Sequence, residues 1–232
     1  MKISDLAGGN ADNAIPKEAC ATVYASSEFN LDKISESISK KYADKEPNIL
    51  VTVSDGGEDH CFSIEDSKSI ISLINTLPNG IIKMSEDIDG LVETSLNLGV
   101  IKTDDCGVNL SYALRSSKRE AKNELREKVL KIAKAHGATV SEEGDYPPWE
   151  YRKDSYIREL SIKIFEKMYG RKPTIMAIHA GLECGLLSEK LSGLDCISIG
   201  SDLYDVHTTD ERASISSAIR VWEFLVEILR NV

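Results

Sequence analysis

The sequence has few of the residues and motifs that mark common catalytic sites. It contains four histidines in 232 residues, and no two of them stand at the spacing of a metal-binding pair. No glycine-rich loop of the P-loop or dinucleotide-binding type occurs, which excludes nucleotide chemistry based on those motifs. The five cysteines, an odd number without CxxC spacing, indicate neither a disulfide framework nor a cysteine-rich metal site and favour a reducing cytoplasm.

Positive charge and long apolar runs are also scarce. Lys and Arg number 28 against 38 Asp and Glu, a net charge of -10 that argues against a nucleic-acid partner. No window reaches the roughly 18 apolar residues of a membrane span, and the first residues lack a signal-peptide pattern. With 41% hydrophobic and 28% charged residues, we expect a globular, soluble, cytoplasmic protein of one large domain or two small ones.

Apolar periodicity predicts alternating strands and helices in the first part of the chain. Strands are predicted at 19–25, 48–53, 91–100 and 108–114, and helices at 27–42, 67–77 and 118–136. The polar residues 103–107 predict a hairpin between the last two of these strands. The helix at 118–136 has the clearest pattern, because its apolar residues share one face and Gly137 follows it.

The part of the chain after GDYPPW, at 144–149, has the pattern of an incomplete domain. Its two prolines lack backbone donors and place a domain boundary here. A short strand is predicted at 138–141, and beyond the prolines helices at 154–169 and 214–229 and strands at 174–178 and 195–199. That alternation is typical of an α/β layer. Two strands and two helices in about 85 residues nevertheless bury little apolar area unless they complete a larger sheet.

The segment HAGLECG, at 179–185, concentrates reactive residue types. His179 and Glu183 could be metal ligands, an acid–base pair or a carboxylate site for a substrate amine. Alternatively, Gly181 and Gly185 allow a tight strand-to-helix turn whose polar residues cap backbone groups. Cys184 has no basic residue beside it and is expected to be a small buried residue rather than a nucleophile.

Three further residues are candidates for a ligand site. His207 lies in a polar loop after a predicted strand and could bind a metal, or it could be an exposed loop histidine. One histidine with scattered carboxylates provides too few ligands for a catalytic zinc site. Arg115 could hold a carboxylate through two parallel hydrogen bonds, or it could be a surface arginine. Asn13 could present its amide to a ligand or form an Asx turn.

Six segments in one order resemble a known family. They are GGNADNAIPKEA, VETSLNLGVI, YALRSS, GDYPPW, IHAGLECGLL and the pair SIG and VHTTDE. Together they are similar to the aminoacyl-histidine dipeptidases, also called Xaa-His or cytosol non-specific dipeptidases, of the two-metal exopeptidase superfamily. The resemblance implies an α/β fold class in which an α+β lid domain is followed by the closing α/β segment of the catalytic domain. Members of the family are about twice as long as this chain.

The resemblance also implies roles for particular residues. Residues 1–147 would be most of a lid and dimerisation domain, and residues 148–232 the C-terminal segment of the catalytic domain. His207 matches the family's last metal ligand, although Thr208 and Thr209 stand where Ser-Pro is usual. Arg115 resembles the lid arginine that holds the substrate carboxylate, and Asn13 a lid asparagine near it. The segment HAGLECG would place His179 and Glu183 at the substrate site or beside it.

The implied activity is metal-assisted hydrolysis of dipeptides such as Xaa-His. In the family two divalent ions, expected to be zinc, share a bridging water while a glutamate takes its proton. The other metal ligands and that glutamate belong to a first half that this sequence lacks, and one ligand does not hold a catalytic zinc ion. We therefore expect the chain to be inactive by itself and to have three partners: a dipeptide substrate, the missing N-terminal half and a second copy in a homodimer.

Two other functions are compatible with the sequence. The chain could be a lid-like dimerisation or peptide-binding module without catalysis. It could also be an unrelated small-molecule binding protein, which a complete core within residues 148–232 would favour.

Overall fold

The structure is a computed structural model that describes residues 1–25, 30–54, 60–177, 183–206 and 209–232. Contacts between residues divide the chain into two compact units. Unit 1 comprises Met1–Gly80, Leu96–Leu114 and Arg126–Val140. Unit 2 comprises Ile81–Ser95, Arg115–Leu125 and Ser141–Val232. The predicted boundary between residues 147 and 148 stays a prediction.

Five strands form the main sheet. They are β1 (Lys2–Gly8), β2 (Ala19–Tyr24), β3 (Gly80–Met84), β4 (Val92–Asp104) and β5 (Gly107–Ser116). The strand order is β2-β1-β4-β3, and β5 also pairs with β4. Strand β1 runs antiparallel to β2 and to β4. Two residues connect β4 to β5, so the predicted hairpin is confirmed.

The helices of unit 1 begin at residues with capping side chains. Helix α1 (Leu31–Tyr42) begins after Asn30, whose Oδ1 accepts from the Lys33 amide at 3.1 Å. Helix α2 (Ile64–Thr76) begins after Ser63, whose hydroxyl accepts from the Asp66 amide at 3.0 Å. These bonds satisfy amides that have no partner within the helix. Helix α2 is joined to β1 by the Ser67 hydroxyl, which accepts from the Ile3 amide at 3.0 Å.

Four further helices follow along the chain: α3 (Arg119–Ala135), α4 (Tyr156–Tyr169), α5 (Glu183–Lys190) and α6 (Ile215–Leu229). A two-stranded sheet of β6 (Leu203–Tyr204) and β7 (Arg212–Ala213) precedes α6. Helix α4 begins after Ser155, which caps the Arg158 amide, and ends at Gly170 with φ of 66°, the left-handed conformation that suits glycine.

The apolar core of unit 2 lies between α4 and α6. Ile164 of α4 and Phe224 and Ile228 of α6 are buried together. The rings of Phe165 and Phe224 meet edge to face with their centroids 5.5 Å apart, a favourable arrangement for aromatic quadrupoles. Partly buried apolar residues of α4, namely Ile157, Leu160 and Met168, pack against this core.

The predicted helices are confirmed, apart from shifts at their ends and the first residues of the 27–42 helix, which lie outside the described residues. Several predicted strands are wrong. Residues 48–53, 138–141 and 195–199 pair with no strand among the described residues, and neither do residues 174–177 of the strand predicted at 174–178, whose last residue lies outside the described ranges. Strand composition is insufficient because a strand must exchange hydrogen bonds with a neighbour. The mixed α/β fold class is confirmed. Within the described ranges, no helix is long and apolar enough to cross a membrane.

Candidate functional site

The predicted site residues lie in both units, and two of them lie outside the described residues. These two are His179 and His207. Asn13 lies in unit 1, in the exposed loop between β1 and β2. Arg115 and Glu183 belong to unit 2, Arg115 half-buried in β5 and Glu183 exposed as the first residue of α5. No hydrogen bond or ion pair joins Arg115 to Glu183 in the part of the chain that the structure describes.

The loop that carries Asn13 is held against β4 by the side chain of Asn97 and by close packing at Gly99. The Asn97 side-chain amide donates to the carbonyl oxygens of Asp12 at 2.7 Å and Ala14 at 2.8 Å. A Cβ atom at Gly99 would lie 2.3 Å from the Asp12 carbonyl, so the close approach requires glycine. The Asn13 side chain makes no hydrogen bond to another described residue, which leaves the Asx turn unformed there. Its amide is exposed, as binding a ligand would require.

Arg115 is positioned by the backbone of β5 and not by an ion pair of its side chain among the described residues. The neighbouring Ser116 hydroxyl lies 2.9 Å from the Thr94 hydroxyl and donates to the Lys118 carbonyl at 2.9 Å. The Arg115 guanidinium makes neither a hydrogen bond nor an ion pair within the described ranges. A half-buried guanidinium keeps five donors in a fixed plane, which suits a carboxylate. The geometry is compatible with the predicted role, which stays a prediction.

Of the two glycines predicted to allow a tight turn, Gly181 lies outside the described residues, and Gly185 permits close packing within a helix. Gly185 lies buried inside α5, and a Cβ atom there would lie 2.7 Å from the Pro147 carbonyl oxygen. Helix α5 therefore packs directly on the proline segment 147–148. Glu183 stands in the first turn of α5, where a negative charge interacts favourably with the helix dipole.

Cys184 is half-buried, and burial, followed by its contact with Cys196, raises the pKa of its thiol. A raised pKa reduces the thiolate fraction and hence nucleophilicity. The expectation that Cys184 fills space is supported by this environment.

A cavity of about 720 Å³ lies within unit 2. It is bordered by the segments 148–152, 173–177 and 194–199, by residues of α4 and α5, and by Phe224 of α6. Two of these segments are those with strand composition and no strand partner among the described residues. Sequence analysis did not identify the cavity, because its walls come from segments far apart in the chain.

The basic residues of the cavity wall already have partners. Arg119 forms an ion pair with Glu189 at 2.6 Å. The Arg152 guanidinium donates to the Gly193 carbonyl at 2.9 Å, and that of Arg158 to the Arg152 carbonyl at 2.7 Å. These bonds tie the cavity walls together, so they indicate an architectural role rather than recognition of an anionic ligand.

Two polar atoms of the cavity wall have no hydrogen-bond partner among the described residues. They are the Ser161 hydroxyl, in a residue only 6% exposed, and Asp195 Oδ1. The other carboxylate oxygen of Asp195 accepts from the Ile157 amide at 3.0 Å. Burial opposes ionisation of Asp195, but hydrogen bonds from Ile157 and Ser155 and the nearby charge of Arg152 lower its pKa. Buried polar atoms are usually paired, so a hydrogen-bonding group is expected to reach this wall.

A charge cluster in unit 2 surrounds a fully buried carboxylate. Glu93 of β4 is 0% exposed, and its oxygens lie 3.3 Å from Lys83 Nζ and 3.2 Å from Lys118 Nζ. Hydrogen bonding to Glu93 raises the pKa of both lysines. Beside it, Lys153 lies 2.7 Å from Asp87 and lowers the pKa of that carboxyl. The cluster connects β3, β4 and the residue before α3.

The described residues do not form a metal site. Within the described ranges, no group of three or more His, Cys, Asp or Glu side chains could hold a metal ion. His207, the predicted ligand, lies outside those ranges. A catalytic zinc ion requires about three protein ligands. The two-ion centre that the resemblance implies, with His207 as its ligand from this chain, therefore stays a prediction.

Known dipeptidases are similar to the whole of this chain. The cytosol non-specific dipeptidase of Escherichia coli (strain K12) is 31% identical over 239 residues, which cover 100% of this chain and 49% of that protein. The crystal structure of aminoacylhistidine dipeptidase from Vibrio alginolyticus matches with a TM-score of 0.87 and 33% identity, covering 100% of this chain and 49% of that chain. The chain is similar to the C-terminal half of an aminoacylhistidine dipeptidase. No protein-family model matches it.

The resemblance to aminoacyl-histidine dipeptidases that six segments predicted is thus confirmed over the full chain. This dipeptidase-like chain spans about half the length of the relatives it matches. The roles of Asn13, Arg115, His179, Glu183 and His207 stay predictions.

Proposed function

We propose that the chain is the C-terminal portion of a metal-dependent dipeptidase that hydrolyses Xaa-His and other dipeptides, and that it is inactive without the other half. The observation that carries this proposal is the match of the whole chain to 49% of two dipeptidases. The segments 174–177 and 195–199, which pair with no strand among the described residues, support it, because a neighbouring strand from the other half would complete their hydrogen bonding.

Within the complete enzyme we assign this chain to substrate binding and to one metal position. Arg115 would hold the dipeptide carboxylate with Asn13 nearby, and His179 and Glu183 would border the substrate. His207 would be the ligand from this chain to one of two zinc ions. Residues 1–147 would form a lid that also makes a homodimer, residues 148–232 would close the catalytic domain, and the enzyme would act in the cytoplasm.

The chain without the other half is expected to hydrolyse no dipeptide, because one histidine does not hold a metal ion in fixed geometry. The measurement is turnover of alanyl-histidine by the purified 232-residue chain with added zinc or manganese. A His207→Ala variant provides the background rate. Turnover clearly above that background would show that the chain is catalytically complete and would refute the proposal.

Replacing Arg115 by alanine in the complete enzyme is expected to lower kcat/KM, mainly through KM. Hydrogen bonds to a charged group contribute about 1.5–3 kcal/mol, which corresponds to roughly 10- to 150-fold. The kinetics should be compared for alanyl-histidine and for its C-terminal amide, which lacks the carboxylate. Arg115→Ala should remove the preference for the acid, and Arg115→Lys should retain part of it. An equal loss for acid and amide would exclude the carboxylate as the partner of Arg115.

A further inference from the structure

Helix α6 has an apolar face that packs within unit 2. Phe224 and Ile228, which are four residues apart and therefore on the same side of the helix, are buried against α4. Ser217, on the same side, is also buried and donates to the Ser214 carbonyl at 2.9 Å. This face anchors the helix in its unit.

A second apolar face lies on the opposite side of α6 and is exposed. Its large residues are Ile215, Ile219, Trp222 and Leu229, which are 80%, 55%, 65% and 66% exposed. Their spacings of four, three and seven residues place them on one side of the helix. We call these four residues the outer face of α6. A surface helix normally carries polar residues opposite its buried face, whereas a helix that is apolar on both sides is normally covered on both.

We propose that the outer face of α6 is the docking surface for a polypeptide corresponding to the half of the dipeptidases that this chain does not match. The inference rests on the proposed function and adds the surface through which the two halves join. The matched relatives are about twice as long as this chain, so a polypeptide of similar size is available to cover the face. Unit 2 contains two further signs of such a neighbour, the segments 174–177 and 195–199, which have strand composition without a strand partner among the described residues.

The chemistry of the face favours a protein partner over a lipid surface. Binding to an anionic membrane requires basic residues beside the apolar ones. The chain instead has a net charge of -10, and the exposed Glu223 adjoins Trp222. A large aromatic side chain among aliphatic residues is typical of the centre of a protein interface.

Tryptophan fluorescence can test the inference, because the chain has two tryptophans. Replacing Trp149, which borders the cavity of unit 2, by phenylalanine leaves Trp222 as the reporter. The probe is the separately produced half of the Escherichia coli dipeptidase that this chain does not match. We expect its addition to shift Trp222 emission to shorter wavelength and to reduce quenching by acrylamide several-fold. The same titration of a Trp222→Phe chain that retains Trp149 should show a much smaller shift.

Ile219→Glu should weaken binding of the probe at least tenfold, because it places a charge in the middle of the outer face. The matched control is Glu223→Gln, on the same helix beside this face, which should bind within about twofold of the parent. Since Ile219 is exposed, neither change touches the α4–α6 core, and circular dichroism should confirm that both variants keep their helices.

The outcomes separate this inference from the proposed function. If the mixture hydrolyses alanyl-histidine while Trp222 emission stays unchanged, the proposed docking surface is refuted and the proposed function is supported. If the probe protects Trp222 from acrylamide quenching and Ile219→Glu abolishes that protection, yet no hydrolysis appears with zinc or manganese, the proposed docking surface is supported and the proposed function is refuted. Protection of Trp222 that depends on the concentration of this chain without the probe would identify a second copy as the occupant and overturn the inference. No binding at all would also overturn it.

Discussion

Replacing His207 by alanine in the complete dipeptidase is expected to abolish hydrolysis and to release one of the two metal ions. Loss of a residue that merely supports a metal ligand costs about 10- to 100-fold, so loss of the ligand itself should exceed that range. The measurements are kcat/KM for alanyl-histidine and the metal content of the purified protein. The rate and the metal content should fall together, because the proposed role of His207 is to hold the ion.

His136 provides a matched control for this prediction. It lies in unit 1, where its ring is within hydrogen-bond distance of the Ser72 hydroxyl, at 3.0 Å, and of the Ile132 carbonyl, at 2.9 Å. These contacts are structural, so His136→Ala should leave the metal content and the rate per bound metal unchanged. A His207→Ala enzyme that keeps both metal ions and a rate within threefold of the parent would contradict the assignment of His207.

The helices other than α5 could be predicted from the sequence because the interactions that start and stop them are local. Ser63 and Ser155 lie immediately before their helices and accept from amides three residues onward, and Gly170 ends α4 in a left-handed conformation. Capping bonds and apolar spacing of this kind depend on residues close in sequence. The helix predictions therefore needed no knowledge of the rest of the fold.

The strands were harder to predict because pairing is not local. Strand β1 was missed, since the segment KISDLAG contains only two large aliphatic residues and they do not alternate, yet β2 and β4 both pair with it. Residues 195–199 have the composition of a strand and remain unpaired among the described residues. Amino-acid composition indicates how well a segment suits a strand, but the segment forms one only if an adjacent strand pairs with it.

The candidate site was predictable only in part. The resemblance selected Asn13 and Arg115 because they lie in segments similar to the dipeptidases. The Asn13 amide is exposed, and the Arg115 guanidinium has no partner among the described residues, so both are compatible with binding a ligand. Glu93 lies in one of those segments too, but a glutamate in a strand is normally expected at the surface. Its counterions come from ten residues before it and 25 residues after it, so only the folded chain reveals the buried charge.

Replacing Glu93 by glutamine is expected to lower the free energy of unfolding by about 1 kcal/mol, because the carboxylate is fully buried but water partly screens its two lysine partners, which are 45% and 38% exposed. The amide keeps the shape of the side chain but loses the charge that attracts Lys83 and Lys118. Glu86 is the matched control, since it also lies 3.3 Å from Lys83 but is 74% exposed. Glu86→Gln should cost no more than about 0.5 kcal/mol, because water screens both members of this exposed ion pair. Urea unfolding of the 232-residue chain measures both changes.

The sign of the Glu93→Gln effect should reverse when its counterions are absent. In a Lys83→Met, Lys118→Met chain the carboxylate would be buried without compensation, a situation that costs about 3–5 kcal/mol, so Glu93→Gln should then stabilise the protein. An equal loss in both backgrounds would mean that the ion pairs do not hold the carboxylate.

The stabilisation by these ion pairs should also depend on pH. Glu93 raises the pKa values of Lys83 and Lys118, so the stabilisation is complete below the ordinary lysine pKa and disappears as pH rises through the raised values. The cost of Glu93→Gln should therefore shrink in strongly alkaline urea titrations, while a cost due to packing would not change.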